Sequence, residues 1–191
     1  RHSLATYIPH VVDGRVKGIF VHVADVTRLK QLELELQQAK DRAESLAAHD
    51  MLTGLPNRLL LQHTIGREIA SANRTGRMLG ILAIDLDNFK AVNDRFGHAA
   101  GDRYLVELAG RLRAALRDED VLFRAGGDEF IAVLPGLETD AGIRMLAGRL
   151  VAAVREPLHV DGWVEVPGVS VGGALYPVHG HTPAELLAVA D

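Results

Sequence analysis

Alternation governs the first 25 residues. Across 15–24, Lys17, Ile19, Val21 and Val23 fall on one face of an extended chain, while Val16, Gly18, Phe20 and His22 fall on the other. A period of two predicts a strand, and 4–8 carries a second short run of the same kind. Asp13-Gly14 between them is a turn pair favoured in tight hairpins. Two strands alone are marginal in water, so this piece is expected to belong to a sheet whose earlier strands precede residue 1. From Val26 the period changes. Leu29, Leu32, Leu36, Ala39, Ala43 and Leu46 follow at spacings of 3, 4, 3, 4 and 3, the seam of a heptad helix with polar flanks. Residues 26–48 are expected to form a parallel two-chain coiled coil; the alternative is a single amphipathic helix packed on its own domain. Two alanines in the seam would loosen the coil, which suits a connector that shifts.

Beyond His49, helical and extended patterns interleave. Helices are expected over Asn57–Ala72, with Leu61, Ile65, Ile69 and Ala72 on one stripe, over Gly101–Arg117 and over Thr139–Arg155. The apolar run Met78–Leu86 reads as a buried central strand. Val121–Ala125 and Phe130–Leu134 read as strands around a glycine turn, and two more follow at about 163–166 and 169–175. Thr182-Pro183-Ala184-Glu185 has the cap, the first-turn proline and the third-position glutamate of a helix start. The chain stops within two turns of it, so the last domain is expected to be truncated. The order predicts an α+β fold (mixed α/β), with a ferredoxin-like or palm-type mixed sheet flanked by helices rather than a doubly wound one. Three zones result: 1–25, 26–48 and 49–191.

Composition narrows the function. In 191 residues, 48% are hydrophobic and 24% charged, which excludes disorder. A net charge of −4 argues against nucleic acid or an anionic membrane as the main partner. Without cysteine there is no disulfide, thiolate metal site or thiol nucleophile. No apolar run approaches the roughly 18 residues of a membrane span, and Asp13, Arg15 and Lys17 spoil a signal peptide. The cytoplasm is the expected compartment, and Arg1 in place of Met suggests a start inside a longer polypeptide.

The candidate chemistry lies at strand ends. The run 79–84 closes on Asp85-Leu86-Asp87-Asn88-Phe89-Lys90. A carboxylate at the end of a buried strand is costly unless something compensates it, and a divalent cation does so; an ordinary polar strand end is the alternative. In Arg124-Ala125-Gly126-Gly127-Asp128-Glu129-Phe130 a hairpin explains both glycines, but not two adjacent acids at its tip. With this hairpin beside Asp85, carboxylates would face each other across a strand gap of about 4.8 Å and could clamp one or two Mg²⁺. Gly126 and Gly127 would let a nucleotide approach the backbone. Asp102, in Gly97-His98-x-x-Gly101-Asp102, either supplies charge near a helix N-terminus or accepts the two donors of a guanine edge, with Asn93 complementing the rest. His98 is read as a loop or packing residue.

Together, Asp50-x-Leu52-Thr53-Gly54-Leu55-Pro56-Asn57-Arg58, Asp85-Leu86-Asp87-x-Phe89-Lys90-x-x-Asn93-Asp94, Gly97-His98-x-x-Gly101-Asp102 and Gly126-Gly127-Asp128-Glu129-Phe130 resemble the GGDEF family of diguanylate cyclases over about 49–191. Residues 1–27, ending Val23-Ala24-Asp25-Val26-Thr27, resemble the last strands of a PAS sensor domain entering its signalling helix. The first resemblance implies that two GTP condense to cyclic di-GMP with release of two pyrophosphates. It implies Mg²⁺ or Mn²⁺ held by Asp85, the Leu86 carbonyl and Asp128, with Glu129 assisting deprotonation of the 3′-hydroxyl or holding metal. Asn93 and Asp102 would read guanine; Lys90 and the backbone around Phe89 would steady phosphates; Asp87 is not expected to be a ligand. One GTP per site implies a homodimer, arranged by 26–48 and biased by the upstream sensor. Arg117-x-x-Asp120 matches the family's inhibitory product site, where Arg117 would grip guanine O6 and N7 and Asp120 its other edge; a solvated helix end is the plainer reading. The rival functions are a non-catalytic module binding GTP or cyclic di-GMP, and a structural dimerisation relay.

Overall fold

Residues 2–12, 14–160 and 162–191 are described by the computed structural model, the side chains of 12, 38, 39 and 41–46 excepted. The chain divides into two units, 1–47 and 48–191.

In the first unit, β1 (Ser3–Val12) and β2 (Arg15–Asp25) form an antiparallel hairpin running from the Ser3–Asp25 pair to the Val12–Arg15 pair. Asp13 of the expected turn lies outside the described residues. Both faces of the hairpin carry exposed apolar side chains, Ile19 and Val21 on one and Val16 and Phe20 on the other. Helix α1 (Thr27–Ala47) starts where Asp25 Oδ1 accepts the Thr27 N–H at 2.9 Å and Thr27 Oγ1 accepts the His2 N–H at 2.8 Å. Leu29, Leu32 and Leu36 of the expected seam are exposed. The side chains of Ala39, Ala43 and Leu46 lie outside the described set.

The second unit runs α2 (Arg58–Thr75), β3 (Met78–Asp87), α3 (Phe89–Phe96), α4 (His98–Ala114), β4 (Val121–Gly126), β5 (Glu129–Leu137), α5 (Asp140–Arg155), β6 (Leu158–Val160), β7 (Trp163–Glu165), β8 (Gly168–Tyr176) and α6 (Pro183–Ala190). The main sheet has the order β4-β5-β3-β8, which is the ferredoxin-like β-α-β-β-α-β arrangement. Every adjacent pair in it is antiparallel. The helical crossover from β3 to β4 demands two strands running the same way, and β5 inserts between them, so the parallel relation exists only between non-neighbours. An isolated parallel bridge, Asn57 to Arg124, adds to the β4 edge.

Alternation in β3 sends Leu82, Ile84 and Leu86 into one core with α4 and α5, and Leu79 and Ile81 into a second with α2 and α6. Burying a side chain of this size contributes about 1.5–3 kcal/mol, so β3 is the spine of the unit. The caps agree with the sequence. Asn57 Oδ1 accepts the Leu59 N–H at 2.9 Å, and Thr182 Oγ1 accepts from the Glu185 N–H at 3.3 Å while Glu185 Oε2 takes the His181 N–H at 2.7 Å. Three elements differ from expectation. Helix α3 lies inside the segment read as motif and loop; Asn88, in the left-handed region at φ 59°, turns the chain straight from β3 into it. Helix α4 begins at His98 instead of Gly101 and ends at Ala114, leaving Arg117 in the loop that follows. The strand β6 was not anticipated, and it pairs with β7 as a separate small hairpin.

Candidate active site

Asp85 and Asp87 continue the row of β3 that buries Leu79 and Ile81, at the end of the strand where the helical cover stops. In the sheet register Asp85 is flanked by Glu129 of β5 and Ser170 of β8. Directly paired residues share a sheet face with Cβ atoms about 4.5–5.5 Å apart, and like charges so placed repel. The β4–β5 turn sets Asp128 one residue before Glu129, after a register shift between Arg124 and Gly126. Gly126 (φ 154°) and Gly127 (φ 53°) occupy backbone that a side chain would strain.

The carboxylates act on one another. Burial, and then the charges of Asp128, Asp87 and Asp191, push the Asp85 carboxyl above its ordinary value. Asp85 makes no side-chain hydrogen bond among the described residues; Asp87 does, its Oδ1 accepting from Ser170 Oγ at 2.9 Å. Asp85, Glu129, Ser170 and Asp191 line a cavity of about 320 Å³ floored by Ala83 and Gly172. A neighbouring cavity of about 350 Å³ shares Ala83, Glu129 and Asp191 and adds Arg58 at the start of α2. The register thus sets Glu129 beside Asp85, and Asp128 acts on Asp85 through its charge.

Among the described residues no three His, Asp or Glu side chains are gathered as a ready-made metal cage. The donors present fit a hard cation nonetheless. Asp85 and Asp128 offer carboxylate oxygens whose repulsion a divalent charge would relieve, and β5 supplies no partner opposite the Leu86 main chain. Proteins commonly hold Mg²⁺ through one or two carboxylates, with its other positions left for water and phosphate.

A second group of predicted residues surrounds α3. A side chain at Gly101 would run into Asn93 Oδ1, so the bare helix backbone lets the Asn93 amide lie against α4 beside exposed Asp102. Asp102 is the fifth residue of α4, beyond its first turn, which weakens its reading as a helix N-terminal charge. Phe89 stacks on Tyr104 with ring centroids 6.0 Å apart. Lys90 is exposed on α3, one residue into the helix, and His98 is exposed at the start of α4. Arg117 and Asp120 form a tight turn after α4. Asp120 is buried, and its Oδ2 accepts the Arg117 N–H at 2.9 Å; Arg117 is exposed, 3.8 Å from Glu119. Burial pushes the Asp120 carboxyl up against the pull of that N–H and of the Arg117 charge.

Sequence reasoning left Ser170, Asn88, Asp50 and Arg124 without roles. Ser170 and Asn88 carried no signal of their own, whereas Asp50 and Arg124 sat inside quoted motifs as isolated charges. No helix among the described residues is long and apolar enough to cross a membrane.

The α+β domain carries a row of acids at the end of its central strand, and comparison with known proteins identifies its family. Residues 47–191 match the model of the diguanylate cyclase GGDEF domain, and the chain belongs to that family. It is 43% identical over 165 residues to diguanylate cyclase TpbB of Pseudomonas aeruginosa PAO1, covering 83% of this chain and 38% of TpbB. It is 41% identical over 184 residues to the bifunctional diguanylate cyclase/cyclic di-GMP phosphodiesterase MucR of the same organism, covering 96% of this chain and 25% of MucR. The solved GGDEF domain of TpbB superposes with a TM-score of 0.73 at 43% identity, covering 75% of this chain and 84% of that one. The chain thus spans well under half the length of these curated relatives.

Proposed function

We propose that residues 49–191 condense two GTP into cyclic di-GMP with release of two pyrophosphates. The observation that carries the reading is the Asp85 carboxyl, raised by burial and by the charges of Asp128, Asp87 and Asp191, with Glu129 opposite it in the sheet; a cation-bound triphosphate would offset that negative charge. Each 3′-oxygen forms a bond to the α-phosphorus of the partner nucleotide as the bridge to the β-phosphate breaks, and pyrophosphate leaves. Mg²⁺ or Mn²⁺, held by Asp85, Asp128 and the Leu86 carbonyl, supplies charge stabilisation at the phosphates. Glu129 accepts the 3′-hydroxyl proton or adds an oxygen to the cation site. Asn93 and Asp102 read guanine, supported by their approach across Gly101. Lys90 and the backbone at Phe89 hold phosphate, and Gly126 and Gly127 give the nucleotide room.

One nucleotide per site makes the working unit a homodimer. Residues 26–48 join the two chains, a reading supported by the exposed Leu29, Leu32 and Leu36. Residues 1–25 are the end of a PAS-like sensor whose remaining strands would cover the exposed hairpin, and that sensor biases the pairing of the sites. Arg117 and Asp120 form a product-inhibition site; it requires Asp120 to exchange its contact with the Arg117 N–H for guanine. GTP as substrate places the domain in the cytoplasm.

Incubating the full-length protein with GTP and Mg²⁺ and separating the products by chromatography tests this. Cyclic di-GMP is expected from the wild type and not from Asp128→Ala. GTP that stays bound and unconverted would make the domain a binding module. Repeating the assay with added cyclic di-GMP tests inhibition, which Arg117→Ala is expected to relieve.

A further inference from the structure

The turn that presents Asp128 is held from outside its own hairpin. Arg124, with its side chain one-tenth exposed, donates from Nη1 to Asp50 Oδ1 at 2.8 Å, and from Nε and Nη2 to the Gly127 carbonyl at 3.1 and 2.6 Å. Asp50 is itself fixed, because the same Oδ1 accepts from Thr53 N at 2.8 Å and Thr53 Oγ1 at 2.7 Å, and the Asp50 N–H donates to the Leu55 carbonyl at 2.8 Å. The main chain joins at this point too: Arg124 N donates to the Pro56 carbonyl at 2.9 Å. The 48–57 loop is thereby tied through one guanidinium to the peptide that precedes Asp128.

That peptide is planar, so anchoring the Gly127 carbonyl fixes the direction in which the chain enters Asp128. The tether matters because two consecutive glycines and a register shift otherwise leave the turn loosely specified. We propose that Arg124, oriented by Asp50, is a positioning residue that sets the Asp128 carboxylate against Asp85 for cation binding. The inference rests on the reading of these two acids as cation ligands. A plain ion pair with Asp50 would need only a positive charge, whereas this role needs the planar fork, which reaches Asp50 and Gly127 at once.

Mn²⁺ binding to the full-length protein, followed by electron paramagnetic resonance with and without GTP, separates these roles without requiring turnover. Arg124→Gln is expected to weaken Mn²⁺ binding by about 10-fold or more, the range for residues that orient metal ligands. Arg124→Lys is expected to fall nearly as far although its charge is kept, and Asp50→Asn to fall less. Melting curves and circular dichroism check folding, and in turnover kcat should drop while the KM for GTP stays within about twofold. A folded Arg124→Lys with wild-type Mn²⁺ affinity overturns the proposal and leaves a structural ion pair. Should Arg124→Gln fail to fold, the Lys and Asn variants decide. A wild type that binds no Mn²⁺ contradicts the cation reading itself, and the proposal goes with it.

Discussion

Asp50 and Asp85 are carboxylates of one folded unit with opposite surroundings. Burial pulls the Asp50 carboxyl upward, but hydrogen bonds from Thr53 and Arg124 outweigh it and hold the group below its ordinary value. Asp85 has burial and three neighbouring carboxylates acting in the same direction, upward. The first acid is satisfied by donors and serves the architecture. The second is repelled by its neighbours, and the proposed cation reading rests on that repulsion.

The sharpest way to break this contrast is to neutralise the acids of the row. Asp85→Asn or Asp128→Asn is expected to reduce cyclic di-GMP formation by at least about 100-fold, since each removes part of a cation's charge stabilisation. Thermal melting in the absence of metal should show no loss of stability, because like-charge repulsion is relieved. A variant that stays active, or one that melts well below the wild type, would contradict the assignment. Ile81→Ala, four residues before Asp85 on the same face of β3, should do the reverse. It opens a cavity costing about 2–5 kcal/mol in urea unfolding, with turnover per folded molecule unchanged. Asp50→Asn should cost about 1.5–3 kcal/mol near neutral pH, the value of hydrogen bonds to a charged group.

The smallest effect is in the pH dependence of stability. Asp50 is more acidic folded than unfolded, so its contribution is present above its ordinary value of 3.8 and is lost as pH falls through its folded value. Asp85 is less acidic folded, so its destabilisation grows as pH rises from 3.8 through its folded value and disappears in acid. Urea titrations from pH 3 to 7 should therefore show the gap between wild type and Asp85→Asn closing towards low pH, and the gap for Asp50→Asn also closing there but with the opposite sign.

Much of this was legible from periodicity alone. The runs of β3 and α5, the stripe of α2 and the cap at Thr182 are local signals, and the structure agrees with them. Two adjacent acids at a glycine turn flagged the site, because a hairpin does not require them. Helix α3 was hidden because its eight residues begin at a left-handed Asn88, which no periodic pattern marks. Strand β6 was missed although β7, of the same three-residue length, was anticipated, so alternation over so few residues is a poor guide. Arg124 could not be assigned because its meaning lies in a partner 74 positions away. The exposed hairpin of the first unit teaches the converse: its alternation was plain, yet both of its faces are apolar and exposed, so the pattern predicted strands without saying what covers them.

The central claim is that Asp85 and Asp128 jointly hold a divalent cation that carries GTP. Anomalous diffraction from crystals grown with Mn²⁺ and a non-hydrolysable GTP analogue tests it most directly. The account predicts a manganese peak shared by the two carboxylates, with the guanine between Asn93 and Asp102. A bound analogue whose manganese touches neither carboxylate would contradict it.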